Sequence, residues 1–226
     1  MGGNVETQRT TLTSVATMEV RTRGWFFVLE GIDGSGKSTI ARRAVERLKD
    51  SFDVVLTSEP SDSWVGDAVR RANGEDVSPF TEALLFVADR AEHTRQIASW
   101  LDEGKVVVCD RYVASTLAYQ SVILAPELGG DSMEWLRTVN GAVTIEPDVT
   151  FLLDVDPERS LERVAERGER SKFERLGFLT EVRDAYRLIA NDSSSTVVVD
   201  ASRGVSEVLN EVLDAMHASI RSTGVR

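Results

Sequence analysis

The chain has 226 residues, 42% of them hydrophobic and 28% charged, with 16 Gly and 5 Pro. That composition supplies one sizeable core and excludes a collagenous, low-complexity or mostly disordered protein. Acidic residues outnumber basic ones, 37 to 26, for a net charge of −11, so duplex nucleic acid and anionic membrane surfaces are repelled and neither is an expected partner.

One cysteine (Cys109) and two histidines (His93 and His217) exclude an internal disulfide and a structural zinc cluster and point to a reducing, cytoplasmic compartment. No run approaches the roughly 18 apolar residues of a membrane span. Residues 1–23 are Thr-rich and lack the apolar centre of a signal peptide, so they are expected as a disordered extension, with 24–226 as one domain.

From residue 24 onward, short apolar runs alternate with helical periodicity. Expected strands are 25–30 (WFFVLE), 53–57 (DVVLT), 106–110 (VVVCD), 149–155 (VTFLLDV) and 196–200 (TVVVD). All are β-branched or aromatic and apolar on both faces, as buried parallel strands are. Between them, Ile40, Ala41, Ala44, Val45 and Leu48 form one apolar stripe. Phe80, Leu84, Val87, Ala88, Ala91, Ile97 and Leu101 form a second, Leu161, Val164 and Ala165 a third, and Val205, Val208, Leu209, Val212, Leu213 and Met216 a fourth. This alternation predicts a doubly wound α/β fold on a five-stranded parallel sheet. Residues 61–79 read as a polar loop, and residues 166–175 (ERGERSKFER) as a charged run that by spacing alone is a solvated helix face.

The first strand leads directly into Gly31, Ile32, Asp33, Gly34, Ser35, Gly36, Lys37 and Ser38, followed by Thr39. This is the G-x-x-x-x-G-K-[ST] loop, whose backbone N–H groups cradle the phosphates of a nucleoside triphosphate. Lys37 is expected on the β- and γ-phosphates, and Ser38 on Mg²⁺. Asp110, closing an apolar strand, is the expected second partner of the magnesium site. No N/T-K-x-D motif is present and no D-x-x-G switch follows the loop, which argues against a signalling GTPase. A kinase acting on a small phosphorylated substrate fits best, with a non-catalytic nucleotide sensor as the rival from another class.

Four segments in order resemble the thymidylate (dTMP) kinase family, most closely its archaeal members: FVLEGIDGSGKST around the loop, LLFVADRAEH at 84–93, DRYVASTLAYQ at 110–120 and PDVTFLLDVDP at 147–157. The resemblance implies the P-loop nucleoside monophosphate kinase fold with a short lid over about 166–175. It also implies ATP as donor, Mg²⁺ as cofactor, dTMP as acceptor and a homodimer. Residue by residue, it implies that Asp33 accepts the 3′-hydroxyl of the deoxyribose, Phe86 stacks on thymine and Arg90 donates to a thymine carbonyl. Arg111 grips the dTMP phosphate, Asp110 serves Mg²⁺ or orients Arg111, and Thr116, Tyr119 and Gln120 line the base and sugar. Arg167 and Arg170, with Lys172, would supply the lid cations. Glu59 is a further substrate-side candidate. Where many members read T-R-E-P, this chain has Ser58 in place of the arginine, with Arg70, Arg71 or a lid residue as candidate replacements.

Overall fold

The computed structural model describes residues 23–165 and 176–222. Its five strands are β1 (Trp25–Glu30), β2 (Val54–Ser58), β3 (Val106–Asp110), β4 (Val149–Asp154) and β5 (Thr196–Asp200). They pair entirely in parallel in the order β2-β3-β1-β4-β5. The helices are α1 (Lys37–Leu48), α2 (Trp64–Ala72), α3 (Pro79–Asp102), α4 (Val113–Leu128), α5 (Ser132–Gly141), α6 (Pro157–Ala165), α7 (Leu176–Asn191) and α8 (Val205–Ser222). The order of strands reverses at β1, so the carboxyl end of β1 opens on the crevice where α/β sheets bind ligands.

β1 is buried throughout because both of its faces are covered. Phe27 and Leu29 join Phe151, Leu153 and the apolar stripes of α1 and α8 on one side of the sheet. Phe26 and Val28 join Ile97, Leu101 and Tyr112 on the other. Each fully buried Phe contributes about 1.5–3 kcal/mol of transfer free energy. A third cluster, including Ala83, Leu117, Leu124 and Leu136, ties α3, α4 and α5 together.

Three expectations need correction. β2 and β5 are edge strands and are not buried on both faces: Leu56 is 40% and Val198 52% exposed. Residues 61–79 are not all loop. Ser63 caps α2 by accepting from the Gly66 N–H at 3.1 Å, and Val65, Val69 and Ala72 turn inward one helical turn apart.

The stripe assigned to α3 is also misplaced in its first half. Leu84 and Ala88 face outward, while Glu82, Asp89, Arg90 and His93 are buried. Of the stripe, Ile97 and Leu101 meet the apolar layer beneath the sheet, and Phe80 packs on the separate cluster that joins α3 to α4 and α5. The early turns of α3 instead cover a polar crevice, which determines what this helix contributes to the site.

Candidate active site

The loop between β1 and α1 depends on backbone conformations that side chains disfavour. Gly31, Gly34 and Gly36 have φ of 138°, 79° and 98°. Gly34 also packs against α6: a Cβ there would lie 2.4 Å from the Ser160 carbonyl oxygen. Ser160 Oγ donates to the Asp33 carbonyl. Arg163 donates to the Gly34 carbonyl at 3.3 Å and the Ala201 carbonyl at 3.1 Å. α6 therefore supports the loop from behind.

Lys37 opens α1, is buried, and points its ammonium back to the Ile32 carbonyl at 2.9 Å. Burial, reinforced by the Arg111 charge, lowers its pKa to about 8, with Asp33, Asp110 and Glu30 offsetting part of the effect. A polyphosphate bound beside it would restore the ammonium, so nucleotide binding would take up a proton wherever the free lysine is neutral. At pH 8.5 the heat of ATP binding is expected to depend on the buffer's ionisation enthalpy, and affinity is expected to fall as pH rises through 8. Identical heats in Tris and phosphate would contradict this assignment.

Arg111 follows β3 with φ at 71°, a strained conformation for a residue that carries a side chain and one typical of functional sites. One of its amino groups donates to Asp33 Oδ1, the other to Ser115 Oγ at 3.3 Å, and the guanidinium lies 5.4 Å from the centre of the Tyr119 ring. Tyr119 donates to Asp33 Oδ2 at 3.1 Å and accepts from the Asp33 N–H at 3.0 Å. Burial alone would raise the Asp33 carboxyl, but Arg111, Lys37 and Tyr119 together hold it below the usual range.

Behind Arg111 stands Glu30, which composition alone did not single out although it is the one charge in WFFVLE. Its Oε1 accepts from the Tyr112 N–H at 2.8 Å and the Ser115 N–H at 3.1 Å. Its Oε2 accepts from Ser115 Oγ at 2.6 Å and Tyr186 at 3.0 Å. Burial pushes the Glu30 carboxyl upward. Glu30 thus anchors the turn that presents Arg111.

Arg90 is fully buried. Its terminal nitrogens donate to Glu59, Asn140 and, at 2.9 Å, Thr116 Oγ1, and its plane lies 5.2 Å from the Tyr112 ring centre. Glu59 Oε1 lies 3.1 Å from His93 Nδ1, and His93 Nε2 lies 2.6 Å from Thr57 Oγ1. Two buried polar atoms remain without a hydrogen-bond partner here: Arg90 Nε, a donor, and Gln120 Oε1, an acceptor. Phe86 is half-buried on α3. Nothing in the sequence pointed to Asn140, and His93 was visible only as the last letter of a motif.

Ser38 and Asp110 line one cleft of about 500 Å³ that also reaches Thr57, Ser58 and His93. Asp110 Oδ1 is buried without a partner. A hydroxyl and a carboxylate, with phosphate and water oxygens completing the shell, are the donor set that Mg²⁺ uses with nucleotides, so these residues fit that ion. A second, smaller pocket runs from Gly34, Gly36 and Thr39 past Arg163 to Ala201, Arg203 and Val205. The proposed replacements for the missing arginine are engaged elsewhere. Arg70 holds Asp67 and the Pro60 and Ser61 carbonyls, and Arg71 holds Glu75. Arg167, Arg170, Lys172 and the lid as a whole lie outside the described residues.

Residues 29–212 match the family model for thymidylate kinase. A probable thymidylate kinase of Methanosarcina barkeri is 44% identical over 195 residues, covering 84% of this chain and 95% of that protein. One from Methanococcoides burtonii is 40% identical over 202 residues, covering 88% and 100%. A third, from Pyrococcus abyssi, is 40% identical over 201 residues, covering 84% and 95%. With a phosphate loop turned on positive-φ glycines, a buried loop lysine and a clamped arginine at the ends of β1 and β3, and with these relatives along most of its length, the chain belongs to the thymidylate kinase family.

Proposed function

We propose that this protein transfers the γ-phosphoryl group of ATP to the 5′-phosphate of dTMP, giving ADP and dTDP. The observation that supports this reading is Arg111, held by Asp33 and Ser115 beside a glycine-rich loop with a buried Lys37; we assign the guanidinium to the acceptor phosphate and the lysine to the donor. The acceptor phosphate exchanges for Asp33 and Ser115 as partner of the guanidinium fork. The freed Asp33 carboxylate then accepts the sugar 3′-hydroxyl, with Tyr119 fixing its orientation. No general base is required, since a phosphate monoester dianion is already nucleophilic near neutral pH. The work of these residues is in-line positioning and stabilisation of charge spreading over the transferred group. Ser38 and Asp110 would hold Mg²⁺, which when bound neutralises phosphate charge.

On the base side, Arg90 Nε and Gln120 Oε1 offer one donor and one acceptor, matching a pyrimidine edge that carries a carbonyl and an N–H. Glu59 keeps the Arg90 plane fixed, and Phe86 supplies the stacking face. The pocket from Gly34 to Arg203 receives the ATP nucleoside. Arg167 and Arg170, in the segment joining α6 to α7, supply further cation to the γ-phosphate. The outward face of α3, with Leu84 and Ala88, serves a homodimer interface; a single monomeric species in sedimentation would contradict it.

A competition panel of dTMP, dUMP, dCMP and dGMP, run with Mg²⁺ and with chelator, tests the reading. dTMP is expected to lead by at least about tenfold in kcat/KM, turnover is expected to stop with chelator, and kcat is expected to fall in Arg167→Ala and Arg170→Ala. A different preferred base would overturn the substrate assignment. Turnover in chelator would remove the metal, and an unchanged kcat would remove the two arginines.

A further inference from the structure

The cleft at the end of β2 holds a cation with no role so far. Ser38 and Arg42 of α1 line it together with Ser58 of β2 and Asp110 of β3. Arg42 lies one helical turn beyond Ser38, and its Nε donates to the Ser38 carbonyl at 3.1 Å. That bond keeps the guanidinium beside the first turn of α1. Among the described residues, neither terminal amino group has a hydrogen-bond or ion-pair partner, and the side chain is exposed.

Among the described residues, the facing wall carries no lysine or arginine. Ser58 stands in register with Asp110, and Asp62 also lines the cleft. Arg70 and Arg71 are committed to other partners.

The charge balance gives Arg42 its role. Lys37 and Arg111 are matched by Asp33 and Asp110, so these four described groups sum to zero before any nucleotide enters. An incoming phosphate dianion therefore needs a further cation, and a planar guanidinium suits it geometrically.

We propose that Arg42 is a substrate-contacting residue whose free amino groups donate to an oxygen of the acceptor phosphate. This inference rests on the dTMP kinase reading. The ATP phosphates present the same chemistry, but the cleft opens on the β2 side of the loop, and the pocket toward Ala201 and Arg203 lies on the other.

Steady-state kinetics with dTMP and ATP varied separately decide it. Arg42→Ala is expected to raise KM for dTMP about tenfold to a hundredfold, as loss of a charge-assisted contact does. KM for ATP should stay within about twofold, and the thermal midpoint should be unchanged, since the side chain is exposed. Arg42→Lys should recover part of the loss. Ser58→Arg in the Arg42→Ala background puts a guanidinium on the facing wall and should lower KM for dTMP again.

An unchanged KM for dTMP in Arg42→Ala, with the wild type active on dTMP, overturns this inference alone. A rise confined to KM for ATP moves Arg42 to the donor and also overturns it. A raised KM for dTMP that neither second change lowers makes the effect structural and likewise overturns it. A wild type without dTMP-dependent turnover removes the kinase reading and this inference together.

Discussion

Arg111→Ala is expected to lower kcat/KM for dTMP by about 10²–10⁴-fold, the loss of two charge-assisted hydrogen bonds made by one fork. Arg111→Lys should recover little of this, because an ammonium cannot span two phosphate oxygens. The variant also alters its neighbours. Without the guanidinium, Asp33 keeps only Lys37 and Tyr119, and Lys37 loses one of the charges that lower its pKa. The pH at which nucleotide binding begins to take up a proton should therefore move upward from 8 in Arg111→Ala. Because φ at this position is 71°, Arg111→Gly should be more stable than Arg111→Ala by about 1 kcal/mol. A kcat/KM within tenfold of wild type for Arg111→Ala would remove the phosphate clamp from the mechanism.

The other large effect is expected at Gly34. An added methyl there faces two separate obstacles: φ of 79°, and the Ser160 carbonyl oxygen 2.4 Å from the new carbon. The left-handed conformation alone costs roughly 1–2 kcal/mol, and the clash is with backbone that is itself fixed at the start of α6. The loop must shift, and with it the backbone N–H groups that would cradle the phosphates. Gly34→Ala is therefore expected to weaken ATP binding at least about a hundredfold, as small misplacements of positioning groups do.

Gly36→Ala separates the two obstacles. Its φ of 98° is equally unsuited to alanine, but no atom lies within 4 Å of the added carbon. Its loss should be correspondingly smaller. Equilibrium binding of a non-hydrolysable ATP analogue to the three proteins measures the order wild type, Gly36→Ala, Gly34→Ala. Affinity of Gly34→Ala within about threefold of wild type would mean that packing against α6 does not set the loop.

The sheet was legible because its strands are runs rich in β-branched and aromatic residues, four of the five closing on a carboxylate. Predicted and observed limits agree at β1, β3 and β5, and differ by one residue at each end of β2 and at the end of β4. The phosphate loop was equally plain, since its chemistry needs those residue types in that spacing.

What periodicity missed has one physical origin, which is that it counts apolar residues while this site buries polar ones. The early turns of α3 carry Asp89, Arg90 and His93 inward because Glu59, Ser61 and Thr57 wait for them there. A stripe drawn through Leu84 and Ala88 therefore marks the outer face. α2 was hidden for a related reason: in a nine-residue helix only Val65, Val69 and Ala72 mark the inward side beside Gly66, and polar residues surround them.

Glu30 shows the same limit at a single position. A carboxylate at the end of an apolar strand looks like a strand terminus, yet it is 1% exposed and accepts four hydrogen bonds. Asn140 reaches Arg90 from α5, fifty residues along the chain, and only the fold brings them together.

The most direct test is ADP release from ATP–Mg²⁺ measured with and without dTMP on the wild-type protein. Turnover that depends on dTMP, with one dTDP formed for each ADP, is the predicted result. ADP release at the same rate in the absence of dTMP would leave a phosphate-loop ATPase. In that case the acceptor-side roles of Asp33, Arg42, Arg90 and Arg111 would all be withdrawn.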